Sequence, residues 1–320
     1  MIGSQGALGS TVVGEFERAG WEVHRGARRP GTSFRLVDLD TPDTLRRAFG
    51  GVDVVVNTVP HPGLAAETAV LTHGGLLLNI SALPVSAAAA LPPGGTGTVV
   101  MNAGLAPGVT NLVAADLIAR HPDADGIELA LTLSAAGTSG PAGGEFVRRH
   151  LTSRRRHTTA TIPFPAPIGE RRCVEIAEDE RGWLGAAAGD RPVRTYLCIS
   201  ERLPHTGILA ANRTGILSLL PRSAFVGGRK GPAGGASAEP FAEWVAVLRG
   251  GRRLAARTVE GNGDYRSTAA ATVVFSESLC SRGDLPAGGF DPEDVLSLGD
   301  VSGALEAAGI RVVERSAAAT

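Results

Sequence analysis

The strongest constraint on the fold is a regular alternation of apolar runs with helical patterns over the first 120 residues. The run VDVVVNTV at residues 52–59 is almost continuously apolar, which is typical of a strand buried on both faces of a parallel sheet. Further strands are predicted at LLLNIS and GTVVMN, and helical patterns separate the runs. This alternation predicts an α/β domain with a doubly wound parallel sheet of the Rossmann type.

The patterning changes further along the chain. In GIELALTLS, residues 126–134, apolar and polar side chains alternate, which predicts a half-solvated strand of an antiparallel or mixed sheet. RPVRTYLCIS and RRLAARTV are predicted as strands of the same kind. One further segment has apolar residues spaced as on the buried face of a helix: Phe241, Trp244, Val245 and Leu248.

These patterns predict two domains. Residues 1–120 form the Rossmann domain, and residues 121–266 form an α+β domain for substrate binding or dimerisation. We expect residues 267–320 to pack back on the first domain.

Three glycines stand at the start of the first predicted helix, in the pattern G-x-x-G-x-x-G. The first permits a tight turn, the second lets backbone N–H groups approach a pyrophosphate, and the third lets the helix pack on the sheet. The helix N-terminus favours the anion. The predicted dinucleotide-binding residues are Gly3, Ser4, Gln5, Gly6, Ala7 and Leu8.

The strand that should precede this turn is represented only by Met1 and Ile2, so the first strand reads as truncated. A typical strand has about five or six residues. We expect that the sequence begins inside a longer strand. The other explanation is a gapped sheet with weakened cofactor binding.

The end of the second strand bears on which nicotinamide cofactor fits. NAD sites usually offer an acid there to hold the ribose 2′-hydroxyl, and NADP sites offer arginine. The sequence VHRGARRP offers Arg25, Arg28 and Arg29 and no acid, which favours NADP over NAD, unless these arginines merely solvate a turn. Asp38 follows the next predicted strand and either borders the adenine or begins a helix.

Ligands of doubly wound sheets bind outside the carboxyl ends of the strands. Three groups of residues follow such ends. Those predicted to border the cofactor are Thr58, Val59, Pro60, Ser81, Gly104, Pro107 and Gly108. The last three belong to a turn before a helix that begins at about Val109.

The segments GSQGALG, AGLAPGVTNLVAADL and GNGDYRSTAAATVVFSESL together resemble the saccharopine dehydrogenase-like NAD(P)-binding oxidoreductases. The resemblance implies a Rossmann domain that binds NAD(P) and a discontinuous second domain that covers the substrate. It also implies that the turn at Pro107-Gly108 lies beside the nicotinamide. Members of the family reduce imines formed from amino and oxo acids, or other unsaturated substrates such as enoyl groups.

The resulting functional hypothesis is an NADP-dependent reductase that transfers hydride to an imine or carbonyl of a small or carrier-linked substrate. One alternative is a trans-acting enoyl reductase. A third hypothesis is an NADP-binding protein without redox turnover, acting as a sensor or scaffold.

The proton donor is less defined. Neither Tyr196 nor Tyr265 has a lysine four residues later, so the tyrosine–lysine pair of short-chain dehydrogenases is absent. The candidates are His61, His205 and Tyr196, with His150 also considered. An iminium substrate needs little acid help because its nitrogen already carries the proton.

Five arginines could hold a carboxylate or a carrier phosphate, or simply solvate a helix end: Arg148, Arg149, Arg154, Arg155 and Arg156.

Charge and cysteine content bear on whether the protein binds nucleic acid, a membrane or a metal. A net charge of -1 offers no basic field for nucleic acid or for a membrane surface, and no apolar run is long enough to span a bilayer. The three cysteines are widely spaced and form neither a metal-ligand cluster nor a disulfide framework. We expect a cytoplasmic protein with no metal, a small-molecule or carrier-linked substrate, and possibly a homodimer.

Overall fold

A computed structural model describes residues 1–29, 33–81, 83, 90–134, 141–176, 184, 188–219 and 240–315 of the chain. Nine helices are described, along with a 3-10 turn at Leu217–Leu219: α1 Ala7–Arg18, α2 Pro42–Phe49, α3 Ala65–His73, α4 Val109–Arg120, α5 Pro141–Thr152, α6 Arg202–Thr214, α7 Asp264–Cys280, α8 Pro292–Val295 and α9 Leu298–Ala307. Within these ranges no helix is long and apolar enough to cross a membrane.

Thirteen strands lie in the same described ranges. They are β1 Gly26–Ala27, β2 Arg35–Leu36, β3 Val55–Asn57, β4 Leu76–Asn79, β5 Thr98–Val100, β6 Gly126–Leu133, β7 Thr159–Pro163, β8 Glu170–Ile176, β9 Val193–Ile199, β10 Pro240–Arg249, β11 Arg252–Asn262, β12 Gly288–Phe290 and β13 Arg311–Arg315.

The chain divides into two compact units. The first comprises the described residues of 1–112, 182–187 and 268–308, and the second those of 113–181, 188–267 and 309–320. The end of the chain is therefore divided between the units. Residues 268–308 belong to the first unit, as expected, whereas β13 pairs with β11 in the sheet of the second unit.

The first unit contains a parallel sheet in which β12, β5, β4 and β3 lie side by side. β1 and β2 form a second parallel pair. Ile2 joins the two groups through parallel bridges to Gly26 on one side and to Asn57 on the other. The order is that of a doubly wound sheet, which confirms the predicted Rossmann-type fold class.

Ile2 occupies the position of the central strand. Its N–H donates to the carbonyl of Val56 at 2.9 Å, and its carbonyl accepts from the N–H of Thr58 at 3.3 Å. The side chain is buried in an apolar cluster with Val55 and Leu77. The predicted second strand is also short, since only Gly26 and Ala27 pair as strand.

The second unit contains a seven-stranded sheet in the order β13-β11-β10-β6-β9-β8-β7. β6 and β9 are parallel and the other neighbours are antiparallel. This arrangement agrees with the predicted α+β character, and the strands predicted at RPVRTYLCIS and RRLAARTV are β9 and β11.

Two predictions for this sheet were wrong. Residues 241–248 form most of strand β10, not a helix. β10 lies between β6 and β11 and is buried on both faces, so its apolar residues carry no strand alternation. β6 was expected to be half-solvated, but seven of its eight residues are buried.

Candidate functional site

The glycine turn at the start of α1 has the geometry that a phosphate cradle requires. Gly3 has a φ of +78°, and a Cβ there would lie 2.3 Å from Oγ1 of Thr58. A Cβ on Gly9 would lie 2.0 Å from the carbonyl oxygen of Gly3. Only glycine fits at either position, because the turn, the end of β3 and the helix approach one another at backbone distance.

The N-terminus of α1 faces outward without a cap. Gly6 is the N-cap residue, no side chain bonds the first-turn N–H groups, and the first turn has no acid. Gln5, Gly6 and Ala7 are exposed, whereas Ser4 is buried and its hydroxyl donates to the carbonyl of Gly26 at 3.2 Å. The helix end therefore offers its N–H groups and positive dipole end to an anion, and Ser4 fastens the turn to β1.

The arginines around β1 differ in their surroundings. Arg28 and Arg29 follow the strand directly and are exposed, and neither is paired within the described residues. Arg25 precedes the strand and forms an ion pair with Glu17 of α1 at 2.7 Å. Two of the three predicted arginines are thus exposed and unpaired within the described residues, at the carboxyl end of β1.

Asp38 lies in the loop that leads into α2, whose N-cap residue is Thr41. Its carboxylate accepts from the N–H of Asp40 at 3.1 Å and from the hydroxyl of Thr41 at 3.3 Å, and its own N–H donates to the hydroxyl of Thr44 at 3.0 Å. These bonds hold the loop that leads into α2, and a role of Asp38 beside the adenine stays a prediction.

A buried carboxylate that the sequence analysis missed holds the ends of β3 and β4. Oε1 of Glu67 on α3 accepts from the amides of Asn57 at 2.8 Å and Asn79 at 2.6 Å. The amide oxygens of these asparagines accept from the N–H of Val59 at 2.9 Å and of Ser81 at 2.7 Å. This network determines the backbone path of both loops predicted to border the cofactor. The two asparagines at strand ends were the available sequence signal.

The predicted loop residues sit around this network. Thr58 donates its hydroxyl to the carbonyl of Ile2 at 2.9 Å, and Ser81 donates its hydroxyl to Asn79 at 2.7 Å. Pro60 is exposed and Val59 half-buried. The hydroxyls of Thr58 and Ser81 therefore position the loops.

The turn after β5 closes on itself at the start of α4. The N–H of Gly104 donates to the carbonyl of Pro107 at 3.1 Å, and the N–H of Val109 donates to the carbonyl of Gly104 at 3.2 Å. The amide oxygen of Asn111 reaches back to the N–H of Gly108 at 3.0 Å. The turn predicted at Gly104 to Gly108 is thus locked from inside the helix.

Strand β12 brings two acids to the same edge of the sheet, and neither was predicted as a site residue. Asp291 accepts from the amide of Asn102 at 2.9 Å, and Oε1 of Glu293 accepts from the amide of Asn111 at 3.2 Å. Oε2 of Glu293 is buried without a hydrogen-bond partner. Burial raises the pKa of Glu293 to about 8 and that of Asp291 to about 6.

His61 contacts the loop that follows β2. Its Nε2 lies 3.1 Å from Oδ1 of Asp40, and its Nδ1 is buried without a partner. Asp40 follows β2, the outermost strand beyond Ile2, whereas the turns at Ser81 and Gly104 follow β4 and β5. His61 thus contacts the loop that follows β2, and its role as a proton donor stays a prediction.

The other proton-donor candidates lie in the second unit. Nδ1 of His205 accepts from the N–H of Ile199 at 3.3 Å and Nε2 lies 3.0 Å from the carbonyl of Arg172, so both ring nitrogens are engaged. Burial lowers the pKa of His205. Tyr196 is buried, and burial and two nearby glutamates raise the pKa of its hydroxyl.

The predicted basic residues of the second unit lie at the end of α5. Arg148 pairs with Glu145, and Arg149 is exposed. Residues 154–156 are exposed as well. His150 is buried at the last turn of the helix.

No protein-family model and no curated protein matches this chain. Solved structures resemble it along nearly the whole chain. An amine dehydrogenase from Mycobacterium smegmatis is 15% identical with a TM-score of 0.46, covering 92% of this chain and 94% of that one. The WlbA (WbpB) dehydrogenase from Thermus thermophilus, in complex with NAD and UDP-GlcNAcA, is 12% identical with a TM-score of 0.37, covering 96% and 92%.

Identities this low concern the overall fold, so the activities of those proteins do not transfer to this chain. The resemblance to saccharopine dehydrogenase-like proteins stays a prediction from sequence.

The residues present fit a dinucleotide better than a metal. The carboxyl edge of one parallel sheet collects the glycine turn, the two free arginines and the loops after β3, β4 and β5. Among the described residues there is no group of three or more His, Cys, Asp or Glu that could hold a metal ion.

Proposed function

We propose that this chain is an NADP-dependent oxidoreductase that reduces a carbon–nitrogen or carbon–oxygen double bond of a small or carrier-linked substrate. One observation carries the proposal. The uncapped N-terminus of α1, entered through a turn that only glycine can form, stands beside Arg28 and Arg29 at the carboxyl end of β1.

Each part of the cofactor has a matching group. The N–H groups at the start of α1 would hold the diphosphate. The guanidinium groups of Arg28 and Arg29 would hold the 2′-phosphate, since arginine binds phosphate oxygens through paired charge-assisted hydrogen bonds. The loops at Thr58 and Ser81 and the turn at Gly104 to Gly108 would border the remaining half of the molecule.

When bound, the cofactor would supply hydride. The residues of the chain would orient the cofactor and the substrate toward each other. Glu67 and Asn111 act on the loops rather than on a substrate, because their side chains bond backbone groups and neighbouring amides. Such rigid support is what correct orientation of two reactants requires. Both ring nitrogens of His205 are already engaged, so we favour a substrate that carries its own proton, an iminium.

The first test is a titration followed by cofactor fluorescence. NADPH is expected to bind more tightly than NADH, and the double variant Arg28→Ala/Arg29→Ala should weaken NADPH by at least about tenfold while leaving NADH unchanged. The matched control is Arg46→Ala/Arg47→Ala, two exposed arginines of α2. Equal affinity for both cofactors, or an equal effect of the control, would show that Arg28 and Arg29 do not bind the 2′-phosphate.

The second test is turnover. NADPH oxidation is measured with panels of imines, carbonyl compounds and enoyl thioesters. Reaction with imines or carbonyl compounds supports the proposal, and reaction with enoyl substrates alone would make the chain an enoyl reductase. Tight NADPH binding without oxidation in any panel would indicate a binding protein.

A further inference from the structure

Two hydrogen bonds fasten the turn at Gly104 to Gly108 to a segment that lies far away in the sequence. Asn102, which precedes the turn, donates its amide to Oδ1 of Asp291 at 2.9 Å. Asn111, which follows the turn, donates its amide to Oε1 of Glu293 at 3.2 Å. All of these residues belong to the first unit. Both ends of the turn are therefore held by residues at the start of α8.

The bond to Glu293 reaches the backbone of the turn itself. The amide oxygen of Asn111 accepts from the N–H of Gly108 at 3.0 Å, and Asn111 is fully buried. Gly108 has a φ of +137°, and a Cβ there would lie 1.9 Å from the carbonyl oxygen of Gly104, so the turn is closed at backbone distance. Because an amide group is planar and rigid, the position of its oxygen at Gly108 depends on the position of its nitrogen at Glu293.

A carboxyl group is a costly choice for a purely structural support at this position. Oε2 of Glu293 is buried without a hydrogen-bond partner in the described chain. A buried polar atom without a partner lowers the free energy of unfolding, and a glutamine would accept the same bond from Asn111 without carrying a charge. Glu67, which holds two other loops of the sheet edge, instead shares one oxygen between two amides. The unpartnered oxygen of Glu293 therefore points to a role in function.

We propose that Glu293 is a positioning residue of the cofactor site, which acts through Asn111 to hold the turn at Gly104 to Gly108 in the shape that binds the cofactor. Glu293 need not contact the cofactor for this role. The role rests on the proposed function, because the turn is taken there as part of the NADPH site. The support of the turn itself can be measured without cofactor.

The charge of Glu293 should control this support. Burial, followed by the charges of Asp291 and Asp294, raises the pKa of Glu293 to about 8. Among the described residues no cation forms an ion pair with these acids, and Arg282, which reaches a carbonyl at the end of α8, pairs with Asp300 at 2.9 Å. Above about pH 8 the carboxylate is repelled by both neighbouring acids and is better solvated outside. It should then move outward and give up its hydrogen bond, and the turn should loosen.

The test measures two properties of the full chain at about pH 7 and about pH 9.5, on either side of this ionisation. NADPH affinity is followed by cofactor fluorescence, and hydrogen exchange of the Gly108 amide is followed by NMR without cofactor. The variants are Glu293→Gln, which keeps an acceptor for Asn111 and cannot ionise, and Glu293→Ala, which keeps none. The matched control is Glu306→Gln, an exposed carboxyl group on α9.

The comparison with Glu293→Gln isolates one ionisation. Relative to that variant, wild type should lose about threefold or more in NADPH affinity from the lower to the higher pH, the size of one hydrogen bond. Ionisation of the cofactor cancels because both proteins bind the same molecule, and Asp291, with a pKa of about 6, is already charged at the lower pH. The control should behave as wild type.

Removal of the acceptor should act at both pH values. Glu293→Ala should bind NADPH about three- to tenfold more weakly than Glu293→Gln. Exchange at Gly108 should be faster in Glu293→Ala than in Glu293→Gln, and wild type should approach Glu293→Ala only at the higher pH. Exchange at the amides of β4 should be the same in all variants, which shows that they are folded.

Three results would overturn the inference: an equal change with pH in wild type and Glu293→Gln, unchanged NADPH affinity in Glu293→Ala, or an equal effect of Glu306→Gln. Faster exchange at Gly108 with unchanged NADPH affinity would place the turn outside the cofactor site and would overturn it too. If wild type binds no NADPH while exchange at Gly108 follows the charge of Glu293, the proposed function fails and the control of the turn by Glu293 stands.

Discussion

The amide of Asn111 donates to the carboxyl group of Glu293 at 3.2 Å, while its amide oxygen accepts from the N–H of Gly108 at 3.0 Å. One side chain thus connects the turn at the start of α4 with α8, two elements far apart in sequence. The carboxyl group of Glu293 therefore contacts the side chain that holds the turn predicted to border the cofactor. A change in the protonation state of Glu293 would act on that turn through Asn111.

Glu293 should make the stability of the protein fall as pH rises. Its pKa is raised from 4.5 to about 8, so the folded state holds a proton that the unfolded state releases above about pH 4.5. Stability from this group is fully present below pH 4.5 and is lost as pH rises to about 8. Glu293→Gln should therefore gain thermal stability over wild type progressively between pH 5 and pH 8. An exposed carboxyl variant on α9, Glu306→Gln, should show no such trend. A pH-independent difference would contradict the raised pKa.

Replacing Glu67 tests the network beneath the two cofactor loops. Glu67→Ala leaves the amides of Asn57 and Asn79 buried without their acceptor, and we expect a loss of about 2–4 kcal/mol in the free energy of unfolding in urea. Glu67→Gln keeps an oxygen that can accept both bonds and should cost less than half as much. Equal losses in the two variants would mean that side-chain packing, rather than the shared acceptor, holds the strand ends.

Two glycines of the same helix provide a matched pair. A Cβ on Gly9 would lie 2.0 Å from the carbonyl oxygen of Gly3, whereas a Cβ on Gly14 meets nothing closer than 3.9 Å. Gly9→Ala should distort the turn and reduce NADPH affinity by at least about tenfold, since the helix start must move. Gly14→Ala should leave affinity unchanged and raise stability by about 0.5–1 kcal/mol, the helix preference of alanine. Unchanged NADPH affinity in Gly9→Ala would remove this turn from the site.

His205 should affect how the free energy of unfolding changes with pH, and its replacement should not change NADPH affinity. Burial lowers its pKa below 6.5, so the unfolded state binds a proton that the folded state resists. Its contribution is present above pH 6.5 and is lost as pH falls through the lower folded value. His205→Gln should be less stable than wild type at pH 7.5, and the gap should narrow below pH 6.5. A variant with altered NADPH affinity but unchanged unfolding would give His205 a different role.

The alternation of apolar runs was sufficient to predict the first unit, because parallel strands buried on both faces leave a clear mark in sequence. The same burial misled the prediction for Trp244 and its neighbours. β10 is covered by strands on both sides and by packing on both faces, so helical spacing arose by chance in a uniformly apolar segment. Tertiary context decided between helix and strand there.

The candidate site divides in a similar way. Residues that act through backbone geometry, such as Gly3 and Gly9, were visible because glycine spacing encodes a turn. Glu67, Asn111 and Glu293 were not, because their partners lie in other elements and their spacing along the chain carries no period.

The single-residue bridge at Ile2 has a consequence for cooperativity. β1 and β3 meet at Ile2, where the N–H of Gly26 donates to the carbonyl of Met1 at 2.8 Å and the N–H of Ile2 donates to the carbonyl of Val56 at 2.9 Å. Regions of one protein can open at different free energies, and the strands on the two sides of Ile2 can do so as well. A dinucleotide that touches both parts would tie them into one unfolding unit. Ligand binding would then register chiefly as slower amide exchange at Gly26 and Val37, on the smaller of the two parts.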